Sequence, residues 1–420
     1  MNMSKLELLL LLAIFGTVGP NMLFWSSMGI FRFLFGEFQS QETRETQQVN
    51  LKEVAVLIAA HNEEIALPSC LAAISKLLPP AQIHIGDDAS GDTTRKIAKD
   101  FGCKIFSAKK NMGKARILDA TMRKFDLCRR YKVVLILDAD SEIDENYLVR
   151  GLPIFDDPTV AVVAGHVISR ASANMFSISQ AIHLHRVRLY FLLQALFRFG
   201  QTWKYANVCF VAPGFASMYR TNVLEKLEFT APDLVIEDIN MTFEVHRRQL
   251  GRIAYSPHVK CTTEDPPNMR DYSKQIRRWN LGLWQTVRKQ RFWPSTFWLS
   301  FSVQQFETIL TSICVVLLPF LIFYSVVGGK ILTLWSPIDG GYVSIPIIAF
   351  PIMYVMADLI LTCITSVILG RPLMVLYSPI FLLFRYLDAV TTLVTIPAAF
   401  FTKSDGRWSS PQRRNRYTKA

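Results

Sequence analysis

The sequence predicts a Rossmann-like α/β domain held between N- and C-terminal transmembrane helices, and three observations predict it. Hydrophobic residues make up 50% of the 420-residue chain but crowd toward its two ends. In the middle, three near-continuous apolar runs of strand length each stop in a cluster of carboxylates. Helix-length stretches separate those runs, which is the order of an open, parallel sheet that binds ligands outside the carboxyl ends of its strands.

The leading segment comes first. Residues 8–31 carry no charge, and they exceed the roughly 20 residues that a helix needs to cross about 30 Å of hydrocarbon. A secretory signal would have a shorter apolar region, a basic leader and a small-residue cleavage site. Residues 1–36 are therefore expected to form an N-terminal transmembrane helix, and residues 51–291 a soluble domain with a core of its own. Residues 294–402 are expected to form transmembrane and interfacial helices, and residues 403–420 a basic tail. Uncharged segments at 308–329 and 342–356 and a longer stretch at 373–402 supply two or three further crossings.

The net charge of +12 arises from 46 basic and 34 acidic residues. On its own it fits nucleic-acid binding. Its distribution fits a membrane protein better, because basic residues gather in the soluble domain and in the tail (Lys403, Arg407, Arg413, Arg414, Arg416, Lys419). A multi-pass protein of the cell membrane with its catalytic domain cytoplasmic is expected, with membrane lipids as partners and no nucleic acid. One leading crossing and three later ones would place the tail outside, against the charge rule. A re-entrant piece within 373–402, which contains Pro379, Arg385, Asp388 and Pro397, would return it to the cytoplasm. The seven cysteines are scattered without CxxC spacing, as packing residues in a reducing compartment are.

Within the soluble domain, Val54-Ala-Val-Leu-Ile-Ala-Ala60 reads as a buried strand that delivers His61-Asn62-Glu63-Glu64 to a site. Gln82-Ile-His-Ile-Gly86 ends in Asp87-Asp88-Ala89-Ser90-Gly91-Asp92, and Val133-Val-Leu-Ile-Leu137 ends in Asp138-Ala139-Asp140. Helices are expected at 65–78, 93–101 and 114–131. The Asp87–Asp92 cluster also suits a turn and helix cap through Ser90 or Asp92. Asp138 and Asp140, two residues apart beyond an apolar strand, would repel each other unless a cation sat between them, and a hard divalent ion meets that need.

Asn111-Met112-Gly113-Lys114 lets backbone amides and one ammonium approach an anion such as a diphosphate, though it also suits an ordinary loop. Val211-Ala-Pro-Gly-Phe-Ala-Ser-Met-Tyr-Arg220 puts small residues, Gly214 among them, where an acceptor could approach the backbone. Glu237-Asp238 precedes a helix at about 240–249, and a carboxylate there can take the proton of an attacking hydroxyl or merely cap the helix. Gln275-Ile-Arg-Arg278-Trp279 offers an indole face for a sugar ring and a guanidinium for a phosphate, or an interfacial anchor. Residues 171–199, with Arg186, Arg188 and Arg198 amid aromatics, read as an amphipathic helix against membrane or acceptor, or as ordinary packing. Asp358, Arg385 and Asp388 in apolar surroundings read as the border of a product path or as a packing ion pair.

In this order the motifs resemble the family-2 glycosyltransferases, and within them the membrane-integrated polysaccharide synthases. Six motifs stand in the family's register: Ala60-His61-Asn62-Glu63-Glu64, Asp87-Asp88, Asn111-x-Gly113-Lys114, Asp138-x-Asp140, Glu237-Asp238 and Gln275-x-x-Arg278-Trp279. The tail Arg407-Trp408-x-Ser410-Pro411-x-Arg413 is similar to that of poly-N-acetylglucosamine synthases, with hyaluronan, chitin and cellulose synthases next. The resemblance implies a GT-A domain and an inverting, metal-dependent transfer of N-acetylglucosamine or glucose from a UDP-sugar to a saccharide or glycolipid. It implies a nucleoside held by Ala60, Asn62, Glu63 and Asp88, Lys114 near the uridine or phosphates, and Mg2+ or Mn2+ on Asp138 and Asp140. Asp238 would be the base, Gln275, Arg278 and Trp279 would line the diphosphate, and Gly214, Glu237 and Trp279 would meet the acceptor.

Three departures stand out. His61 replaces a usual aromatic, Ala89 replaces a usual glycine, and a single leading helix is shared instead with ceramide glucosyltransferases, which add one sugar and stop. Processive synthesis with export, single transfer to a lipid or protein, and a nucleotide-binding accessory of a transporter are the three functions to separate.

Overall fold

The computed structural model describes residues 19–35, 48–170, 176–230, 234–329, 331–336 and 341–402. Strand β1 (Val54–Ala60) is buried along its whole length. Its side chains divide by parity: Val54, Val56, Ile58 and Ala60 enter one apolar core, and Ala55, Leu57 and Ala59 enter another. A strand covered on both faces has no polar side to show, which is why its sequence reads as one continuous apolar run.

Strands β2 (Ile83–Asp87), β3 (Lys104–Ser107) and β4 (Val133–Asp138) join β1 in a parallel half-sheet of order β3-β2-β1-β4. Helix α1 (Pro20–Leu34) precedes it, and α2 (Leu67–Ser75), α3 (Thr94–Asp100) and α4 (Lys114–Lys124) make its connections. The helix expected over 114–131 stops early, because Asp126 adopts φ 52 and only a short turn, Leu127–Arg130, follows.

The other half of the sheet was not foreseen. Among the described residues β5 (Glu142–Ile143), β6 (Val160–Ser169), β7 (Ala216–Arg220) and β8 (Arg252–Thr263) extend the order as β4-β7-β6-β8-β5. Strand β7 runs antiparallel to both neighbours, so the sheet is mixed. Part of the segment read as an acceptor approach is thus this central strand, with Gly214 just ahead of it.

Helices α5 (Ile178–Tyr190), α6 (Glu237–Arg247) and α7 (Met269–Gln290) lead to α8 (Thr296–Val327), α9 (Ala349–Leu369) and α10 (Ser378–Phe401). The last three are long and apolar enough to cross a membrane. The expected span at 342–356 is shifted: Gly341–Pro346 pairs with Ile331–Ser336 in a hairpin, and the helix begins at Ala349. In place of a re-entrant piece, 373–402 holds a short turn, Leu373–Leu376, and the full-length α10. Of the expected leading crossing only residues 19–31 are described, and the basic tail lies outside the described residues.

Aromatic packing joins the two parts, with Trp25 of α1, Phe243 of α6 and Phe297 and Phe301 of α8 in one cluster. Helix α5 does not lie on a surface. Seven consecutive residues, 180–186, are buried, so its middle is covered all round. Its Arg188 reaches Asp358 of α9 at 3.0 Å, and Arg385 of α10 pairs with the same carboxylate. Of the three charges noted in the sequence, Asp358 and Arg385 form an ion pair while Asp388 accepts from Tyr272 Oη at 3.0 Å, and a cavity of about 280 Å³ between the helices is lined by Arg188, Arg385 and Asp388.

Candidate active site

Register alone brings the strand ends together. Ala60 stands opposite Asp87 and Ala59 opposite Asp138, so β1, β2 and β4 finish on one rim of the sheet. Ala60 accepts the Asp88 N–H at 2.8 Å through its carbonyl. Beyond it, the Asn62 N–H donates to Ser90 Oγ at 3.1 Å, and the Glu63 N–H to Thr94 Oγ1 at 2.8 Å. Asp92 accepts the N–H groups of Thr94 and Glu64, but the cap position of the helix is Thr93, so neither Ser90 nor Asp92 is its cap residue.

Asp88 has a different task. Its two carboxylate oxygens accept the N–H groups of Met112 at 2.7 Å and Gly113 at 2.8 Å, and it is fully buried. It therefore shapes the loop that begins α4. His61 works alongside: its Nδ1 lies 2.7 Å from the Asp88 carbonyl and its Nε2 3.3 Å from Asn111 Nδ2. An Nδ1–H donor with Nε2 as acceptor satisfies both contacts, which a carbocyclic aromatic could not do.

At the start of α4, Lys114 points into a nest of carboxylates. Its ammonium lies 2.8 Å from Asp138 Oδ1 and 2.9 Å from Glu237 Oε1. Burial opposes its charge, but Asp138, Glu237 and Asp238 outweigh that and hold its pKa above the usual lysine value. Burial likewise pushes the Asp138 carboxyl up, with Asp140 adding to the effect against the pull of Lys114. For Glu237, burial is overcome by Lys114 and, more distantly, Arg278, so its carboxyl sits below the usual range. The Lys114 ammonium thus stands between Asp138 and Glu237, not between Asp138 and Asp140, where a divalent ion was expected.

Asp238 completes the group. It lies in the first turn of α6, after Ile236 at the cap position, so it is not itself the cap. Its Oδ2 accepts the Gly214 N–H at 2.8 Å and its Oδ1 the Ile239 N–H at 2.7 Å. Burial, then the neighbouring Glu237, pushes its carboxyl up to about 6.

The Gln275–Trp279 motif divides. Arg278 faces the rim closely enough to act on Glu237. Gln275 and Trp279 instead meet Arg186 of α5, which donates to Gln275 Oε1 and lies 5.1 Å above the Trp279 ring. Arg186 is buried, donates to Tyr190 Oη at 3.0 Å and sits 3.7 Å from Asp265. It was legible only as one of several arginines in an aromatic stretch; its role needs the fold.

The residues present fit a hard divalent ion in a limited sense. Asp140 is near enough to Asp138 to help raise its carboxyl. Among the described residues no cluster of three or more His, Cys, Asp or Glu side chains completes a metal cage. An ion here would take its remaining ligands from diphosphate oxygens and water, as magnesium sites at transferred phosphates do.

The mixed sheet with its acidic rim is a fold of GT-A type. In fold it is similar to a mannosyltransferase from Pyrobaculum calidifontis, solved with GDP-Man and Mn2+, at TM-score 0.51, covering 89% of this chain and 99% of that one at 15% identity. Residues 52–282 match the family described as glycosyltransferase like family 2, and the chain belongs to that family. Relatives include the Bacillus subtilis (strain 168) protein "Probable glycosyltransferase YdaM", 26% identical over 57% of this chain and 58% of that protein. The hyaluronan synthase of Streptococcus pyogenes is 26% identical over 62% of this chain and 65% of its own. The match thus spans less than two thirds of each relative's length.

Proposed function

We propose that the chain transfers a sugar from a UDP-sugar to a hydroxyl of a saccharide or glycolipid by one inverting displacement. The acceptor oxygen attacks the anomeric carbon, its proton passes to Asp238, and UDP departs from the opposite face. With a pKa of about 6, Asp238 is largely ionised at neutral pH yet basic enough to accept that proton. The observation that carries the reading is Lys114 bridging Asp138 and Glu237, because it ties the strand end suited to a diphosphate to the helix that bears the base. Asp138 and Asp140 would hold Mg2+ or Mn2+, whose chemistry is to offset charge on the departing diphosphate. Lys114 and Arg278 would meet phosphate oxygens, Asn62 and Glu63 would flank the nucleoside, and Trp279 would face the acceptor sugar.

The three candidate spans support a membrane enzyme, and the basic residues of the domain and tail support a cytoplasmic catalytic face. N-acetylglucosamine or glucose donors and a growing polysaccharide, exported as it lengthens, are the first choice. One observation favours a single transfer to a lipid or protein instead: Asp358, clamped by Arg188 and Arg385, ties α5, α9 and α10 together inside the bundle a polymer would thread.

The test is purified protein with a panel of radiolabelled UDP- and GDP-sugars, with and without chelator, and product sizing. A ladder supports polymerisation and one discrete product supports single transfer. A variant Asp238→Asn that binds donor yet transfers at the wild-type rate would remove the base from the mechanism. Donor binding without any transfer to any acceptor would favour the transporter-accessory reading.

A further inference from the structure

A groove of about 650 Å³ lies away from the catalytic rim, between α1, α5 with its π-helical continuation Phe191–Arg198, the β6–β8 edge and the end of α9. We propose that it binds one anionic phospholipid from the surrounding bilayer, with an acyl chain in the groove and the phosphate between Lys260 and Arg371. This goes beyond the sugar-transfer reading and does not depend on it.

Position argues first. Ile368 and Leu369, the last residues of a candidate membrane span, line the groove, and Arg371 follows two residues later. An arginine just past the end of a span stands at headgroup level. The mouth is apolar toward the lipid: Ile368 is 60%, Phe33 56% and Ile30 48% exposed.

Shape argues second. The floor is made by Val187, Phe191, Ala195 and Leu196 on a stretch where α-helix gives way to π-helix, a widening that is frequent at functional sites. Glycine contacts hold α1 against this floor: a β-carbon on Gly29 would strike the Leu196 carbonyl, and one on Gly200 the Trp25 carbonyl. The volume lies within the range of pockets that enclose small ligands.

Charge selects the headgroup. Among the described residues no carboxylate lines the groove, whereas Lys260, Arg371 and two histidines, His166 and His258, do. Arg371 Nη1 lies 3.2 Å from His183 Nε2, whose Nδ1 lies 3.0 Å from Asp265. That chain fixes the arginine and leaves its other donors, with the exposed Lys260 ammonium, available to an anion. Basic pockets between membrane helices bind anionic lipid headgroups in this way.

The experiment uses the full-length protein, incubated in neutral detergent with phosphatidylcholine vesicles or with vesicles containing phosphatidylglycerol, then re-isolated for native mass spectrometry. Phosphatidylglycerol should be retained in preference to phosphatidylcholine. The double variant Lys260→Gln, Arg371→Gln should lower retention about thirtyfold, which is about 2 kcal/mol at 1.4 kcal/mol per decade. Ala195→Trp, which fills the floor, should remove it. Equal retention of both lipids by the wild type, or unchanged retention in both variants, overturns the proposal. Should the variants fail to fold, a phosphatidylglycerol with a photoreactive acyl chain decides on the wild type. Labelling of residues 187–196 and 368–371 supports the site; labelling confined to α8, or cross-links between two copies of the chain through Phe33, overturns it.

Discussion

Gly214 and Asp238 are packed so closely that only a glycine fits: a β-carbon built on Gly214 would lie 2.9 Å from Asp238 Cβ and 3.2 Å from its Oδ2. The same pair is joined by the 2.8 Å bond from the Gly214 N–H to Asp238 Oδ2. Gly214→Ala should therefore displace the proposed base while leaving its chemistry intact. Loss of a charge-assisted hydrogen bond costs about 1.5–3 kcal/mol, so kcat should fall roughly ten- to a hundredfold, with donor Kd little changed. Unaltered kcat would show that the Gly214 contact does not position the base.

The proposed base, its carboxyl pushed up to about 6, should set the acid limb of the rate profile. Its carboxyl is raised, so the neutral form persists to higher pH than in an ordinary aspartate. Activity should fall as pH drops through about 6 and level off above about 7. Measuring kcat/KM from pH 5 to 8 checks this; a flat profile across that range would contradict the assignment of Asp238.

Lys114 makes a prediction about stability. Lys114→Gln leaves Asp138 and Glu237 buried near each other without their cation, and breaking such a pair costs about 3–5 kcal/mol. Glu237, held below the usual range by Lys114, contributes stability that is present above its unfolded pKa and is lost as pH falls through the folded one. The Tm deficit of the variant should accordingly be large at pH 7 and shrink toward pH 4. Equal deficits at both would mean that the ion pairs contribute little to the fold.

Much of this site was readable in advance because parallel-sheet physics leaves a local mark. Residues 54–60, apolar throughout and followed by a polar cluster, announced β1 because both its faces are covered. The pairing of Asp138 with Lys114 was not readable, since 23 residues, most of them in a helix and a strand, separate them and only the sheet register closes the gap. Nor were β6 and β8, which join the sheet through the antiparallel β7. The nucleoside role of Asp88 was implied only by the family resemblance; its bonds to Met112 and Gly113 depend on a loop that sequence leaves undetermined.

Ala89 carries local strain at the same rim. It adopts φ 58, a conformation that costs a residue with a β-carbon about 1–2 kcal/mol. Glycine would relieve that cost but would lose about 0.5–1 kcal/mol through its freer unfolded chain. Ala89→Gly should therefore raise stability by roughly 0.5–1 kcal/mol in chemical denaturation. A destabilised variant would mean that the Ala89 methyl makes a contact worth more than the strain.

Arg186 of α5 anchors the Gln275–Trp279 motif of α7, and its substitution should be felt in both stability and turnover. Its fork donates to Gln275 and Tyr190 while its plane lies over Trp279. A lysine keeps the charge near Asp265 but cannot donate in several directions from one plane. Arg186→Lys should thus fold with a modest loss of Tm yet lower kcat, as Gln275 and Trp279 lose their anchor. Gln275→Ala should lower kcat by a similar factor, and the double variant should be little worse than either, because the two residues act through one contact. If the two effects instead multiplied, Arg186 would be acting on turnover by a route that bypasses Gln275, and the anchoring role would be wrong.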